Sequence, residues 1–185
     1  MHIIAALIGV IWLLFWVYWL IVARTAKRGK ARWGQFAGMR VAIIVLVFLL
    51  IRLGVLRGHH QYDVTSNPWL EGVGFAVFLL GLALAIWARI YIGGNWGMPM
   101  TQKAEPELVR TGPYSRVRHP IYSGIILAFI GTAIALGVYW FIAAGLLAAY
   151  FIYSAVMEER YLIKEFPDAY PEYKRSTKML IPYIL

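Results

Sequence analysis

Two clusters of polar side chains lie beside apolar stretches of the chain, and their residue types are those that bind charged small molecules. The first, LVRTGPYSRVRHPIYSG at residues 108–124, contains three arginines, one histidine and two tyrosines. The second is the adjacent pair Glu158 and Glu159. Paired carboxylates at the edge of an apolar helix cost free energy unless a cation or a hydrogen-bond donor meets them. Both clusters are therefore candidates for a binding site.

The first cluster predicts the start of a helix. Pro120 suits the first turn, which places His119 at the N-cap and Tyr122 one turn inside. Backbone N–H groups at such a helix end are unsatisfied and attract anions such as a carboxylate. A different interpretation also stays open, in which the two glutamates pair with Arg116 or Arg118 at the membrane interface.

The composition indicates which elements position these clusters. The chain of 185 residues is 61% hydrophobic and 15% charged, against roughly 45–50% and about 25% in a typical soluble domain. A fold of this size in water could not bury so much apolar surface, so we expect a single all-α integral membrane domain over residues 1–185. A bilayer crossing needs about 20 helical residues. The apolar stretches predict five spans, at residues 3–22, 41–56, 69–92, 121–138 and 140–157.

The last two spans are separated by almost no loop and predict a tight helical hairpin with Gly137 near its turn. Both polar clusters then emerge on the same side of the membrane. We expect residues 93–120 and 158–185 to form a shared pocket there, the second segment being partly helical and broken by Pro167 and Pro171. Glycines within the spans, including Gly74 and Gly81, predict close helix packing.

The distribution of basic residues predicts the orientation. Fifteen of the 18 lysines and arginines fall on one side of a five-span protein, whereas the second loop contains only Arg57. The positive-inside rule places the N-terminus outside and the C-terminus in the cytoplasm. We expect the membrane to be a bacterial or archaeal cytoplasmic membrane. The net charge of +9 then reflects cytoplasmic loops and contact with membrane lipids, and no nucleic-acid partner is expected. No metal is predicted either, because cysteine is absent and the pair His59-His60 has only Asp63 nearby.

The polar motifs resemble those of a known family. GPYSRVRHPIYSG, followed after an apolar stretch by EERYLIKEFPDAYPEYKRSTKMLIP, is similar to the C-terminal half of isoprenylcysteine carboxyl methyltransferases and related phospholipid methyltransferases. The resemblance covers residues 108–182. It implies an integral-membrane enzyme that uses S-adenosylmethionine without a Rossmann domain. The chain has no glycine-rich dinucleotide fingerprint, which agrees with that expectation.

The resemblance also implies site residues. The expected cofactor contacts are Gln102, Leu108, Val109, Tyr114, His119, Pro120, Ile121, Tyr122 and Glu158. Aromatic faces and carboxylates suit a sulfonium cation, and a histidine suits the carboxylate of the methionine group. The expected substrate-side residues are Arg89, Arg118, Ser154 and Glu159. No catalytic residue is assigned, because in-line methyl transfer depends mostly on positioning and desolvation.

One position departs from the family pattern. The eukaryotic isoprenylcysteine enzymes carry an arginine four residues before the first glutamate, where it meets the carboxylate of the substrate, and here that position is Ser154. A prenylcysteine carboxylate is the acceptor expected from the family, and a phospholipid amine or a small thiol stays open. The oligomeric state is not predicted.

Two other classes of protein remain as alternatives. Sterol-type reductases share part of the motif and bind NADPH, but usually continue it with an acidic residue where this chain has Ile125. A membrane transporter or lipid-binding protein is the non-enzymatic alternative. It would need ionisable residues at mid-membrane, and the centres of the predicted spans are nearly free of charge.

Overall fold

A computed structural model describes residues 2–24, 29–31, 67–96, 101–103 and 107–184 of the chain. The described helices are α1 (His2–Ala23), α2 (Pro68–Ile92), α3 (Pro120–Leu136), α4 (Tyr139–Glu165) and α5 (Ala169–Ser176). Two three-residue strands, β1 (Gly29–Ala31) and β2 (Thr101–Lys103), pair antiparallel. Short 3₁₀ turns cover Gly93–Asn95 and Gly112–Ser115. Apart from this pairing and a single bridge between Val117 and Lys178, the part of the chain that the structure describes is helical, as predicted.

Three of the described helices are long and apolar enough to cross a membrane, namely Ile3–Val22, Pro68–Asn95 and Tyr139–Glu165. Helices α1 and α2 match the predicted first and third spans to within one residue. Helix α3 is also apolar but has 17 residues, fewer than the roughly 20 that a bilayer crossing needs. The predicted second span, residues 41–56, and the His59-His60 pair lie outside the described residues. The protein is an integral membrane protein, and five spans stay a prediction.

Helix α4 extends beyond the predicted end of the fifth span, and that end stays a prediction. The apolar run stops at residue 157, but α4 continues for two more turns to Glu165, because its residues there are mostly good helix formers. The helix stops just before Pro167, as predicted, since a proline disfavours helical backbone in the residue before it. Pro171 does not break a helix. It lies in the first turn of α5, where its missing N–H has no intrahelical partner to lose.

Only Gly137 and Val138 separate α3 from α4. Gly137 has a φ of +125°, in a region that only glycine enters at low cost, so α3 ends at Leu136 and not at the predicted residue 138. The tight connection predicted from the sequence is therefore present as two residues. Its identity as a hairpin of two membrane crossings stays a prediction.

Helices α2 and α3 pack so closely that their contact surface has no room for larger side chains. A Cβ atom placed on Gly74 would lie 2.5 Å from the backbone nitrogen of Ala135. One placed on Gly81 would lie 2.6 Å from the carbonyl oxygen of Gly124. Small residues at such positions let helix backbones approach where no hydrophobic effect drives association. The prediction of close packing at these glycines is confirmed.

Helix α1 covers this pair through an apolar and aromatic face. Ile8 and Phe15 are buried, and the Trp12 indole N–H donates a 3.1 Å hydrogen bond to the Thr132 hydroxyl of α3. The core of the described residues thus lies where α1, α2 and α3 meet. This packing fixes α3, and the polar site lies at its first turn.

Candidate functional site

The site is built on the first turn of α3. His119 is the N-cap and Pro120 the first helical residue, as predicted. The His119 ring stacks on the ring of Tyr122, with 5.3 Å between ring centroids and 1° between planes. The Tyr122 ring stacks in turn on Phe151 of α4 at 4.4 Å and 16°. Three rings therefore form a continuous stack from the start of α3 to α4.

Sequence reasoning missed Phe151, although the signal for it was present. Phe151 precedes Glu158 by seven residues, which is two helical turns and puts both side chains on one face of α4. An aromatic residue at that spacing from a candidate carboxylate is placed to line the same site.

Glu158 lies directly across from this stack. One of its carboxylate oxygens accepts a 2.7 Å hydrogen bond from the Tyr122 hydroxyl, and the other lies 3.5 Å from Nδ1 of His119. The Glu158 side chain is 24% exposed, so it is both held and accessible. The fold brings together the three residues that carry most of the predicted chemistry.

Glu159, its neighbour, faces the protein interior. Its Oε1 lies 2.6 Å from Nε of Arg118 and 3.6 Å from Nε2 of His119. Its Oε2 lies 2.7 Å from Nζ of Lys174 in α5. The interpretation in which a glutamate pairs with Arg118 is therefore confirmed for Glu159. Lys174 had no signal in the sequence, because only the folded position of α5 brings it to α4.

Arg118 has its contacts within the protein. Besides Glu159, its guanidinium donates to the carbonyl oxygens of Thr177 at 2.6 Å and Lys174 at 3.3 Å. The side chain is almost fully buried. These contacts favour a structural role for Arg118, and the predicted substrate-side role stays a prediction.

The segment after α5 pairs along the residues that lead into α3. The N–H of Arg118 donates to the carbonyl of Lys178 at 2.8 Å, and the N–H of His119 donates to Met179 at 3.1 Å. The Ser123 hydroxyl donates to Leu180 at 2.6 Å. One part of the prediction is thereby corrected: the N–H of His119 is not free to bind an anion, because the C-terminal segment already occupies it.

Tyr114 lies in the 3₁₀ turn Gly112–Ser115, which precedes Arg118 and His119 in the chain. Its hydroxyl donates to the Ala88 carbonyl at 3.3 Å, and its own carbonyl accepts a 2.6 Å hydrogen bond from the Tyr173 hydroxyl. Burial raises the pKa of both tyrosines, so both remain neutral donors. Tyr114 therefore ties the turn to α2 and α5.

The other predicted cofactor residues are spread around this turn. Leu108 and Val109 are half-buried just before it, and Val109 packs against the core. Pro120 and Ile121 are buried in the first turn of α3. Gln102 lies in β2 opposite Lys30 of β1, and its side chain is outside what the structure describes.

Arg89 and Ser154, predicted on the substrate side, both donate hydrogen bonds to backbone carbonyls. The Arg89 guanidinium donates to the carbonyls of Gly93 at 2.8 Å and Val22 at 2.7 Å, and it lies 4.7 Å from the ring centroid of Trp96. It thereby joins the ends of α1 and α2. Ser154 is fully buried and donates to the Tyr150 carbonyl of its own helix at 2.8 Å. No group of three or more histidine or carboxylate side chains among the described residues is placed to hold a metal ion.

Comparison with known proteins identifies the family. The model of the phospholipid methyltransferase family matches residues 70–169, a region that contains nearly all of α2, the whole of α3 and α4, and the stack of His119, Tyr122 and Phe151. The chain belongs to the phospholipid methyltransferase family. The resemblance drawn from its motifs is confirmed.

Individual relatives carry different names. A nickel-cobalt-cadmium resistance protein, NccN, from Alcaligenes xylosoxydans xylosoxydans is 30% identical over 77% of this chain and 64% of its own length. Methanethiol S-methyltransferase 1 from Bradyrhizobium diazoefficiens is 40% identical over 92% of this chain and 64% of its own length. The chain thus spans just under two thirds of the length of each of these relatives.

A solved structure is also similar. It is that of the eukaryotic intramembrane Ras methyltransferase ICMT (isoprenylcysteine carboxyl methyltransferase), with a TM-score of 0.56 and 26% sequence identity. The match covers 83% of this chain and 54% of that chain. The membrane fold predicted for this family member is therefore shared with a solved membrane methyltransferase.

Proposed function

We propose that this protein is an S-adenosylmethionine-dependent methyltransferase that acts on a lipophilic or membrane-partitioned acceptor. The observation that carries the proposal is the grouping of His119, Tyr122 and the partly exposed Glu158 at the start of α3, inside the region matched by the methyltransferase family. The family assignment argues against the NADPH-dependent reductase and the non-enzymatic membrane protein.

The chemistry of this group fits the cofactor. S-adenosylmethionine supplies a methyl group on a sulfonium cation, and it presents ribose hydroxyls and a carboxylate. The accessible Glu158 carboxylate suits a cation or a pair of hydroxyls, and the stacked rings provide aromatic faces for a cation. We assign the cofactor contacts to the residues predicted from the motifs, Gln102, Leu108, Val109, Tyr114, His119, Pro120, Ile121, Tyr122 and Glu158.

The protein's own contribution is positioning and exclusion of water. Tyr122 holds Glu158 by a direct hydrogen bond, and the His119 ring is held against Tyr122. Orienting the two reactants within a dry pocket can supply most of the barrier reduction for an in-line displacement. An acceptor that is already a thiolate or an ionised carboxylate needs no general base, whereas a neutral thiol or an amine must lose its proton.

The acceptor class that fits best is a neutral or soft nucleophile, such as a thiol held by its apolar part. A carboxylate close to lipid needs a cationic partner. Ser154 gives none, and its hydroxyl is bonded to Tyr150. Arg118 pairs with Glu159 and donates to backbone carbonyls, and Arg89 donates to backbone carbonyls and lies against the Trp96 ring. A relative named as a methanethiol S-methyltransferase, 40% identical, supports the thiol over the prenylcysteine carboxylate and the phospholipid amine.

The proposed orientation puts the site on the cytoplasmic side, where S-adenosylmethionine is made. The positive-inside rule and the basic residues around α5 and the turn before α3 support a cytoplasmic C-terminus and an outer N-terminus. Lipids of the surrounding membrane are the other expected partners.

Calorimetry tests the cofactor assignment before any acceptor is known. The detergent-purified protein is titrated with S-adenosylmethionine, with S-adenosylhomocysteine and with NADPH. We expect binding of the two sulfur-containing nucleosides and none of NADPH. Binding of NADPH alone would support the reductase, and binding of none of the three would contradict the proposed function.

A further inference from the structure

We infer that Glu159 is a positioning residue, which fixes the His119 ring and clamps the C-terminal segment over the start of α3 without contacting the acceptor or the cofactor. This replaces the substrate-side role expected for it from the sequence. The inference rests on the proposed function, since it explains how the residues assigned to the cofactor are held in place.

The two adjacent glutamates differ sharply in exposure. The Glu159 side chain is 3% exposed and that of Glu158 is 24% exposed. Both oxygens of Glu159 are engaged at once, one by Arg118 and one by Lys174. A ligand that reached Glu159 would have to displace the buried Arg118 or the half-exposed Lys174, and separating a buried ion pair costs free energy. Glu158 is thus the carboxylate that a ligand can reach.

The two cations on Glu159 belong to different elements, Arg118 to the segment that leads into α3 and Lys174 to α5. The Arg118 guanidinium also binds the Thr177 carbonyl just after that helix. Residues 178 and 179 then accept the backbone N–H groups of Arg118 and His119. A single carboxylate on α4 therefore ties α5 and the following segment to the residues that lead into α3.

His119 lies between the two carboxylates. Its Nδ1 is 3.5 Å from Glu158, and its Nε2 is 3.6 Å from Glu159. Nε2 is buried and has no hydrogen bond among the described residues. The orientation of the ring therefore depends on the two carboxylates and on stacking against Tyr122. Loss of the Glu159 charge removes one of these three constraints on the ring in the proposed cofactor site.

The test compares Glu159→Gln with the control Glu172→Gln. Glu172 also pairs with an arginine, Arg110, but at 4.0 Å and with side chains 72% and 48% exposed. The control therefore removes an ion pair of α5 and leaves the contacts of Glu159 with Arg118 and Lys174 in place. We expect Glu159→Gln to weaken S-adenosylhomocysteine binding by roughly tenfold or more, since a buried charge-assisted contact is lost, and Glu172→Gln to change it by less than about twofold.

Kinetics separates a positioning role from a substrate-side role. At saturating S-adenosylmethionine, with a short-chain alkyl thiol and N-acetyl-S-farnesylcysteine as acceptor probes, we expect Glu159→Gln to keep the acceptor KM of the wild type. The cofactor KM should rise. If the acceptor KM rises while the affinity for S-adenosylhomocysteine stays unchanged, Glu159 acts on the acceptor, and the inference is overturned.

A second pair of variants covers the case in which Glu159→Gln does not fold. Lys174 is half-exposed, so Lys174→Gln should fold, and Lys174→Arg keeps the cation. We expect Lys174→Gln to weaken S-adenosylhomocysteine binding and Lys174→Arg to restore most of it. Equal affinity in both variants and the wild type would overturn the inference, whereas a wild type that binds no S-adenosylhomocysteine would contradict the proposed function instead.

Discussion

The Tyr122 hydroxyl donates a 2.7 Å hydrogen bond to the Glu158 carboxylate and so links the first turn of α3 to the C-terminal half of α4. Tyr122 also stacks against His119 on one side and Phe151 on the other. The carboxylate is therefore held by a side chain that is itself held on both faces. Such a supported and accessible charge is a suitable place to bind a cationic or hydroxyl-bearing ligand.

Removing the Glu158 charge or the His119 ring should weaken binding of the cofactor. We expect Glu158→Gln and His119→Ala each to reduce the affinity for S-adenosylmethionine by at least tenfold, about 1.4 kcal/mol, because each loses a charged or aromatic contact in a partly buried site. Calorimetry on folded protein measures the effect, with Glu165→Gln, an exposed carboxylate of the same helix, as the control. Unchanged affinity in both folded variants would refute the assignment of the site.

The contact between α2 and α3 should tolerate no added methyl group at Gly81. A Cβ atom there meets the backbone of α3, so Gly81→Ala must push the helices apart at an expected loss of about 1–3 kcal/mol in the free energy of unfolding. Gly72 lies in the same helix and has nothing within 4 Å of its Cβ position. Denaturation in detergent should therefore show Gly72→Ala to be as stable as the wild type, and equal stability of the two variants would contradict the packing.

Helix positions were predicted well where one property of the sequence decides them, such as an apolar run or a proline. The apolar runs gave α1 and α2 to within one residue, and Pro120 gave the start of α3 because a proline fits only the first turn of a helix. Helix α4 continues beyond the apolar run because helix propensity does not end at residue 157, and it stops at Glu165, just before Pro167.

The candidate site was predictable only in part, because residue types can be read from the sequence but contacts between distant positions cannot. His119, Tyr122 and Glu158 are residues whose types already suggest binding, and the fold brings them together. The contacts of Glu159 with Lys174, and the pairing of residues 178 and 179 with the start of α3, join positions far apart in the sequence. Nothing in local spacing encodes such contacts, since they depend on how α5 packs against α4.

The proposed topology can be measured with reporter fusions. The excess of basic residues predicts that positions near Gln35, Lys103 and Lys174 lie in the cytoplasm and that positions near His60 lie outside. Alkaline phosphatase and green fluorescent protein fusions at these four sites give opposite signals on the two sides. An outside signal at Lys174 would contradict the five-span topology and place the candidate site on the wrong side for the cofactor.

The identity of residue 154 should decide which acceptors are used. Ser154 is fully buried one turn before Glu158 and satisfies its hydroxyl on its own helix, so it offers no charge to a carboxylate. We therefore expect the wild type to methylate an alkyl thiol faster than N-acetyl-S-farnesylcysteine, and Ser154→Arg to improve turnover of that carboxylate. Ser154→Gln serves as the control for size without charge, and S-adenosylhomocysteine affinity checks that each variant keeps its cofactor site. Efficient wild-type methylation of the carboxylate, with no gain from the arginine, would mean that another cation already meets it, and the thiol preference would then be wrong.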